Sequence, residues 1–136
     1  MKKLFIYLFI IVFFNSYSFA DKDMKIGSKG EPNEVSKVIK VKMFDNYYEP
    51  NSFSIEAGET IKFEVENLGI LVHEFNIANK MMHMKHQPEM LKMVENEILL
   101  ATSIDKEKMK KMAKVDKSMG HSHNNSVLLE PKQKGE

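Results

Sequence analysis

Thr60-Ile61-Lys62-Phe63-Glu64-Val65-Glu66-Asn67-Leu68-Gly69-Ile70-Leu71-Val72-His73-Glu74-Phe75-Asn76-Ile77 is the stretch on which the reading of the fold turns. Ile61, Phe63 and Val65 alternate with Lys62, Glu64 and Glu66, the period of two that a strand with one buried and one wet face requires. Asn67-Leu68-Gly69 marks a turn. Residues 70–77 then read as a further strand, with Leu71, His73, Phe75 and Ile77 on one face and Glu74 and Asn76 on the other. Upstream, Ala57-Gly58 turns the chain after a short run in which Phe53 and Ile55 alternate with Ser52, Ser54 and Glu56. Asp45-Asn46 and Pro50-Asn51 punctuate the segment before it. Earlier still, Lys37, Ile39, Val41 and Met43 alternate with Val38, Lys40 and Lys42 in a strand rich in β-branched residues. Four short strands at turn-marked spacing predict an all-β sandwich.

Downstream of Asn79 the texture changes. Residues 80–119 hold one proline and are rich in Lys, Glu, Met and Leu, good helix formers, which predicts a helical insertion around residues 80–117. Pro88 suits the first turn of its first helix. Leu91, Val94 and Ile98 give that helix an apolar stripe, and Thr102 with Asp105 has capping-box spacing before a second helix in which Met109 and Met112 share a face. Gly120 to Asn125 reads as a polar loop and Val127-Leu128-Leu129 as a short strand. Leu129-Glu130-Pro131 leading to Gly135-Glu136 echoes Ile55-Glu56-Ala57-Gly58-Glu59, and the earlier copy precedes a core strand. The echo predicts a sandwich incomplete at the C-terminus.

At the other end, Lys2 and Lys3 precede an unbroken apolar run, Leu4 to Phe14, too short to span a bilayer, with Ser18 and Ala20 ahead of an abruptly polar Asp21. This predicts a signal peptide over residues 1–20, export to the periplasm, a flexible leader over 21–33, and a domain over 34–136 that contains a Met/His-rich insertion at 80–119. No stable membrane insertion is expected after cleavage.

Composition narrows the function. Every basic residue among the 136 is lysine, and residues 21–136 carry 18 lysines against 19 acids, a balance that argues against a nucleic-acid partner. Absence of cysteine rules out disulfides, thiolate zinc sites and a thiol nucleophile. There is no GxSxG, no P-loop and no HExxH, and no nucleophile or base can be given a role, so an enzyme is not expected.

The soft donors cluster instead. Eight of the eleven methionines fall between Met81 and Met119, interleaved with His83 and His86. Thioether sulfur suits Cu(I) or Ag(I). Met90 and Met93, beside Leu91 and Val94, read as core packing. Met81-Met82-His83-Met84-Lys85-His86 is too polar and crowded to be only core, and a secondary copper site of Met81, Met82, His83, Met84 and His86 stays open beside helix packing. His73, taken alone, reads as a core histidine or as a metal ligand on a rigid strand. His121-Ser122-His123 could chelate weakly but is expected to be solvated loop, because ordering it opposes binding.

Taken in order, Tyr48, Pro50, Phe53, Ile55, Ala57-Gly58-Glu59-Thr60-Ile61, Phe63, Val65 and Asn67, then Val72-His73-Glu74-Phe75, resemble the N-terminal two-thirds of a bacterial cupredoxin. The nearest in pattern are plastocyanin- and azurin-like periplasmic copper proteins with a Met/His-rich helical insertion after the first ligand histidine. The resemblance implies a Greek-key β-sandwich and copper held by two histidines, a cysteine and usually an axial methionine. Of these, His73 matches the first histidine, a type-1 remnant, and the other three resemble nothing in this chain. It further implies electron transfer or copper handling in an intact form, with a redox partner or a separately encoded C-terminal fragment. The rival readings are a Met/His-rich Cu(I)/Ag(I) carrier without a type-1 site, and a non-functional remnant or metal-free interaction domain.

Overall fold

The computed structural model describes residues 26–121 and 123–136. The expected signal peptide lies outside the described residues, as does the first part of the leader. Six strands and two helices follow in the order β1 (Val35–Met43), β2 (Tyr48–Glu49), β3 (Thr60–Asn67), β4 (His73–Asn76), α1 (Lys80–Glu95), α2 (Lys106–Ala113), β5 (Ser126–Leu129) and β6 (Lys134–Gly135).

The strands form two layers. One is a mixed sheet ordered β2-β1-β3-β6, in which β1 and β3 run parallel with Ile39 opposite Phe63 and Val41 opposite Val65. The other is the antiparallel pair β4-β5, with His73 opposite Leu129 and Phe75 opposite Val127. Because strand side chains alternate, the apolar sets of β1 and β3 fall on one face, and Ile39, Val41, Met43 and Val65 are buried there with Leu129 of β5. Phe63, Phe75, Tyr48 and Val127 pack around them. This is the sandwich expected from the alternation, with the helices inserted between β4 and β5.

Several local expectations are corrected. Residues 52–56 form no strand: Phe53 packs on Phe63 at 5.4 Å between ring centroids and Lys37 Nζ donates to the Ser54 carbonyl, but this backbone joins no ladder among the described residues. Gly58 at φ +93 makes the turn that follows, a conformation glycine adopts without strain. The strand expected over 70–77 shortens to His73–Asn76, because the Ile70 and Leu71 amides donate to the Asp45 carboxylate instead.

Pro88 sits inside α1 rather than in its first turn. The helix starts earlier, at Asn79, whose side chain accepts from the Met82 amide at 2.9 Å. Asp105, not Thr102, caps α2, accepting from the Lys108 amide at 2.8 Å. The Leu91, Val94, Ile98 stripe also fails: Leu91 and Val94 are exposed, while α1 ends at Glu95 and Ile98 is buried beyond it. Glu97 at φ 53 breaks the helical period between them. The inward face carries Met90 and Met93, which join Ile98, Met119, Met109, Met112 and Leu128 in a second core. Methionine fills this irregular space between helices and strand, its ordinary packing role.

Candidate metal centres

Two histidine environments lie on opposite sides of β4. Asn67 fixes the first from beneath. It is fully buried at the end of β3, its Nδ2 donates to the carbonyls of Leu71 and Leu129 at 2.8 and 2.9 Å, and its Oδ1 accepts from the Gly69 amide at 2.9 Å. A buried amide satisfied in this way pins the 68–71 loop against β5.

Beside this loop Asp45 meets His73. Oδ1 of Asp45 lies 2.9 Å from His73 Nε2 and also accepts from the Ile70 and Leu71 amides. The His73 hydrogen bond, aided by the two amides against a smaller opposing effect of burial, holds the Asp45 carboxyl below its usual range. Gly69 is required by this approach: a Cβ there would stand 2.9 Å from His73 Nε2 and overlap Asp45 Oδ1. Tyr48 presents its ring to His73 edge-on at 6.1 Å and donates its hydroxyl to the Glu74 carbonyl at 2.8 Å. Burial, reinforced by the Glu74 charge, pushes the Tyr48 phenol up. The imidazole is thereby oriented from two sides, with Nε2 engaged and Nδ1 making no hydrogen bond to the described residues.

On the other side of β4, Glu74 points into the insertion. His86 Nε2 of α1 and His121 Nε2 each lie 3.1 Å from Glu74 Oε1. Burial opposes ionisation of Glu74, but the hydrogen bonds and charges of His121 and His86 outweigh it and bring its pKa down to about 2. His86 Nδ1 reaches Glu89 at 3.3 Å, and His123 Nε2 lies 3.3 Å from the same carboxylate oxygen. The three imidazoles meet edge to face or tilted, with centroids 4.9 to 5.3 Å apart.

The expected secondary copper residues therefore divide. Met82 and His86 border one groove beside His123, whereas Met81, His83 and Met84 are exposed on the outer side of α1. His73 stands apart from them. His121 and His123 are not solvated as expected but lie against Glu74, His86 and Glu89, the His121 side chain being only 6% exposed. The His-x-His spacing was the available signal; its partners lie 35 and more residues away in sequence.

The two layers, the buried asparagine and the strand histidine define a cupredoxin-type sandwich. The family model described as "Cupredoxin-like domain" matches residues 4–103, and the chain belongs to that family. It is similar to the "Copper-resistant cuproprotein CopI" of Pseudomonas aeruginosa, 38% identical over 116 residues, a match covering 81% of this chain. The chain spans 64% of that relative's length. No solved structure is significantly similar to it. No helix of the described residues is long and apolar enough to cross a membrane.

Proposed function

We propose that this chain is an exported copper-handling protein that binds the ion through imidazole rather than an enzyme. The observation that carries the reading is the His73–Asp45 pair. A carboxylate on one ring nitrogen fixes the tautomer, raises the basicity of the other nitrogen and aims it, the arrangement that surrounds histidine ligands of metals. Here Nδ1 of His73 is the nitrogen so prepared. The family and the relative's name give the metal as copper.

The donor set also bounds the chemistry. A type-1 centre takes its electronic character from a cysteine thiolate, and the sequence has no cysteine, so the residues present do not fit that centre. Copper handling agrees with the donors that these 136 residues supply. A second reading rests on Met81 and Met84, exposed thioethers three residues apart on α1 that suit Cu(I) capture.

Copper titration of the full chain tests both. Cu(II) affinity at one site should fall at least about 10-fold in His73→Gln. Cu(I) affinity lost only in Met81→Leu/Met84→Leu would favour the second reading, and no copper binding in either oxidation state would reject both.

A further inference from the structure

The face of β4 away from His73 carries a site that the family pattern leaves unassigned, since His121 and His123 lie beyond residues 4–103. His86, His121 and His123 each offer one ring nitrogen, all within 4.8 Å of one another. The rings come from α1 and from the segment ahead of β5, and Glu74 of β4 closes the cluster from below. Met82 and Lys85 border the same groove.

Three observations distinguish this cluster from packing. First, His123 Nε2 is buried yet makes no hydrogen bond. The Glu89 oxygen 3.3 Å away is close enough for attraction between charges but badly aligned for a hydrogen bond, so this nitrogen is unsatisfied. A buried polar atom left this way is unfavourable by about 1 to 3 kcal/mol. Second, His121 takes φ 44, ψ 50, the left-handed cap of the turn that precedes it, and from there its Nε2 reaches Glu74. Third, three imidazoles converge with two carboxylates, Glu74 and Glu89, an arrangement whose negative charge a divalent ion balances.

We propose that His86, His121 and His123, with Glu74 held against His86 and His121 behind them, bind a divalent late first-row transition ion and hold Cu(II) tightest. Three imidazoles are the ligand number that leaves one position open on a four-coordinate ion, and imidazole suits copper, zinc and nickel, with Cu(II) favoured in the general order of affinities. An ion at about 2.0 to 2.1 Å from each nitrogen draws the rings inward and gives His123 Nε2 the bond it lacks. Bound there, it ties His86 of α1 to His121 and His123. The preference for copper rests on the function proposed above; the site itself rests on the geometry alone.

The test uses the full chain, titrated calorimetrically with Cu(II) and separately with Zn(II), and pulsed electron paramagnetic resonance to count imidazoles on bound Cu(II). The wild-type chain should show a site with three coordinated imidazoles. His123→Gln should reduce that count to two and weaken binding at least about 10-fold, and His121→Gln/His123→Gln should abolish it. Asn124→Ala, an exposed turn residue beside the cluster, should change neither. The imidazole count in the single variant reads the site even where the double variant folds poorly. Unchanged Cu(II) and Zn(II) affinities with an unchanged imidazole count in the His123 variant overturn the site. Zn(II) binding that requires these histidines, without tighter Cu(II) binding, upholds the site and removes the copper assignment.

Discussion

His73 and Glu74 are neighbours in β4 and look in opposite directions, one bonded to Asp45 across the mouth of the sandwich and the other to His86 and His121 across the insertion. The alternation of a strand produces this, since adjacent side chains project from opposite faces. Both polar groups are held by oppositely charged or chargeable partners. A four-residue strand thereby serves two histidine environments at once, and a shift of its register by one residue would disrupt both.

The Asp45 contact sets the first prediction. Asp45→Asn keeps an oxygen to accept from Ile70 and Leu71 but weakens the orienting charge on His73, and copper affinity at His73 should fall about 10-fold, the lower end of what loss of an orienting partner does to a metal site. Gly69→Ala should have the same effect or a larger one, because the added methyl occupies the position of the Asp45 carboxylate. Calorimetric titration of the two variants checks this; an unaltered affinity in Gly69→Ala would mean that His73 does not depend on Asp45.

Asn67 gives the second. Asn67→Ala leaves the carbonyls of Leu71 and Leu129 without their side-chain donor in a place that water does not reach, and should destabilise the fold by about 2 to 4 kcal/mol. Urea unfolding should show the midpoint falling with little change in slope. An effect below about 0.5 kcal/mol, the ordinary size for a surface substitution, would show that the loop relaxes without it.

How much of this was legible in the sequence depends on the range of the interactions. β1 and β3 were readable because alternation of Ile39, Val41, Ile61, Phe63 and Val65 is local and burial of one face follows from it. The run at 52–56 has the same alternation and forms no strand, because pairing also depends on which strand lies beside it, which local pattern does not report. The stripe through Leu91, Val94 and Ile98 assumed a helix continuing past Glu95, and the left-handed Glu97 ends it. His73 was legible as a candidate from its strand and neighbours. The His86, His121, His123 cluster was not, because it forms only when the end of the insertion folds back onto its beginning; Glu74 and His121 are 47 positions apart.

Glu130 gives a pH prediction. The Ile104 amide donates to its Oε1 at 2.8 Å, and this bond, helped by Lys106 and Gln133 and opposed by burial, holds its carboxyl below the ordinary value of 4.5. A carboxyl lowered on folding contributes stability above its unfolded pKa and loses it as pH falls through its folded value. The contribution should therefore be constant from neutral pH down to about 5 and decline below about 4.5. Glu130→Gln keeps an acceptor for Ile104 but does not titrate. Unfolding midpoints of the two proteins should differ by a fixed amount above pH 5 and converge below it; a parallel pair of curves down to pH 3 would remove Glu130 from the acid response.

The methionines give the last prediction, because packing and metal binding by thioether respond differently to leucine. Met93 is fully buried between Ile98 and Met119, and its truncation to alanine opens a cavity where helices and β5 meet, at about 2 to 5 kcal/mol. Met93→Leu nearly conserves volume and should stay within about 1.5 kcal/mol of wild type. Met81→Leu, at an exposed position, should leave stability almost unchanged. Cu(I) affinity should follow the opposite order, untouched in Met93→Leu and reduced in Met81→Leu if the outer thioethers capture the ion. Chemical unfolding combined with Cu(I) competition separates the two roles. A loss of Cu(I) binding in Met93→Leu with stability intact would assign ligation to a sulfur that the packing places in the core.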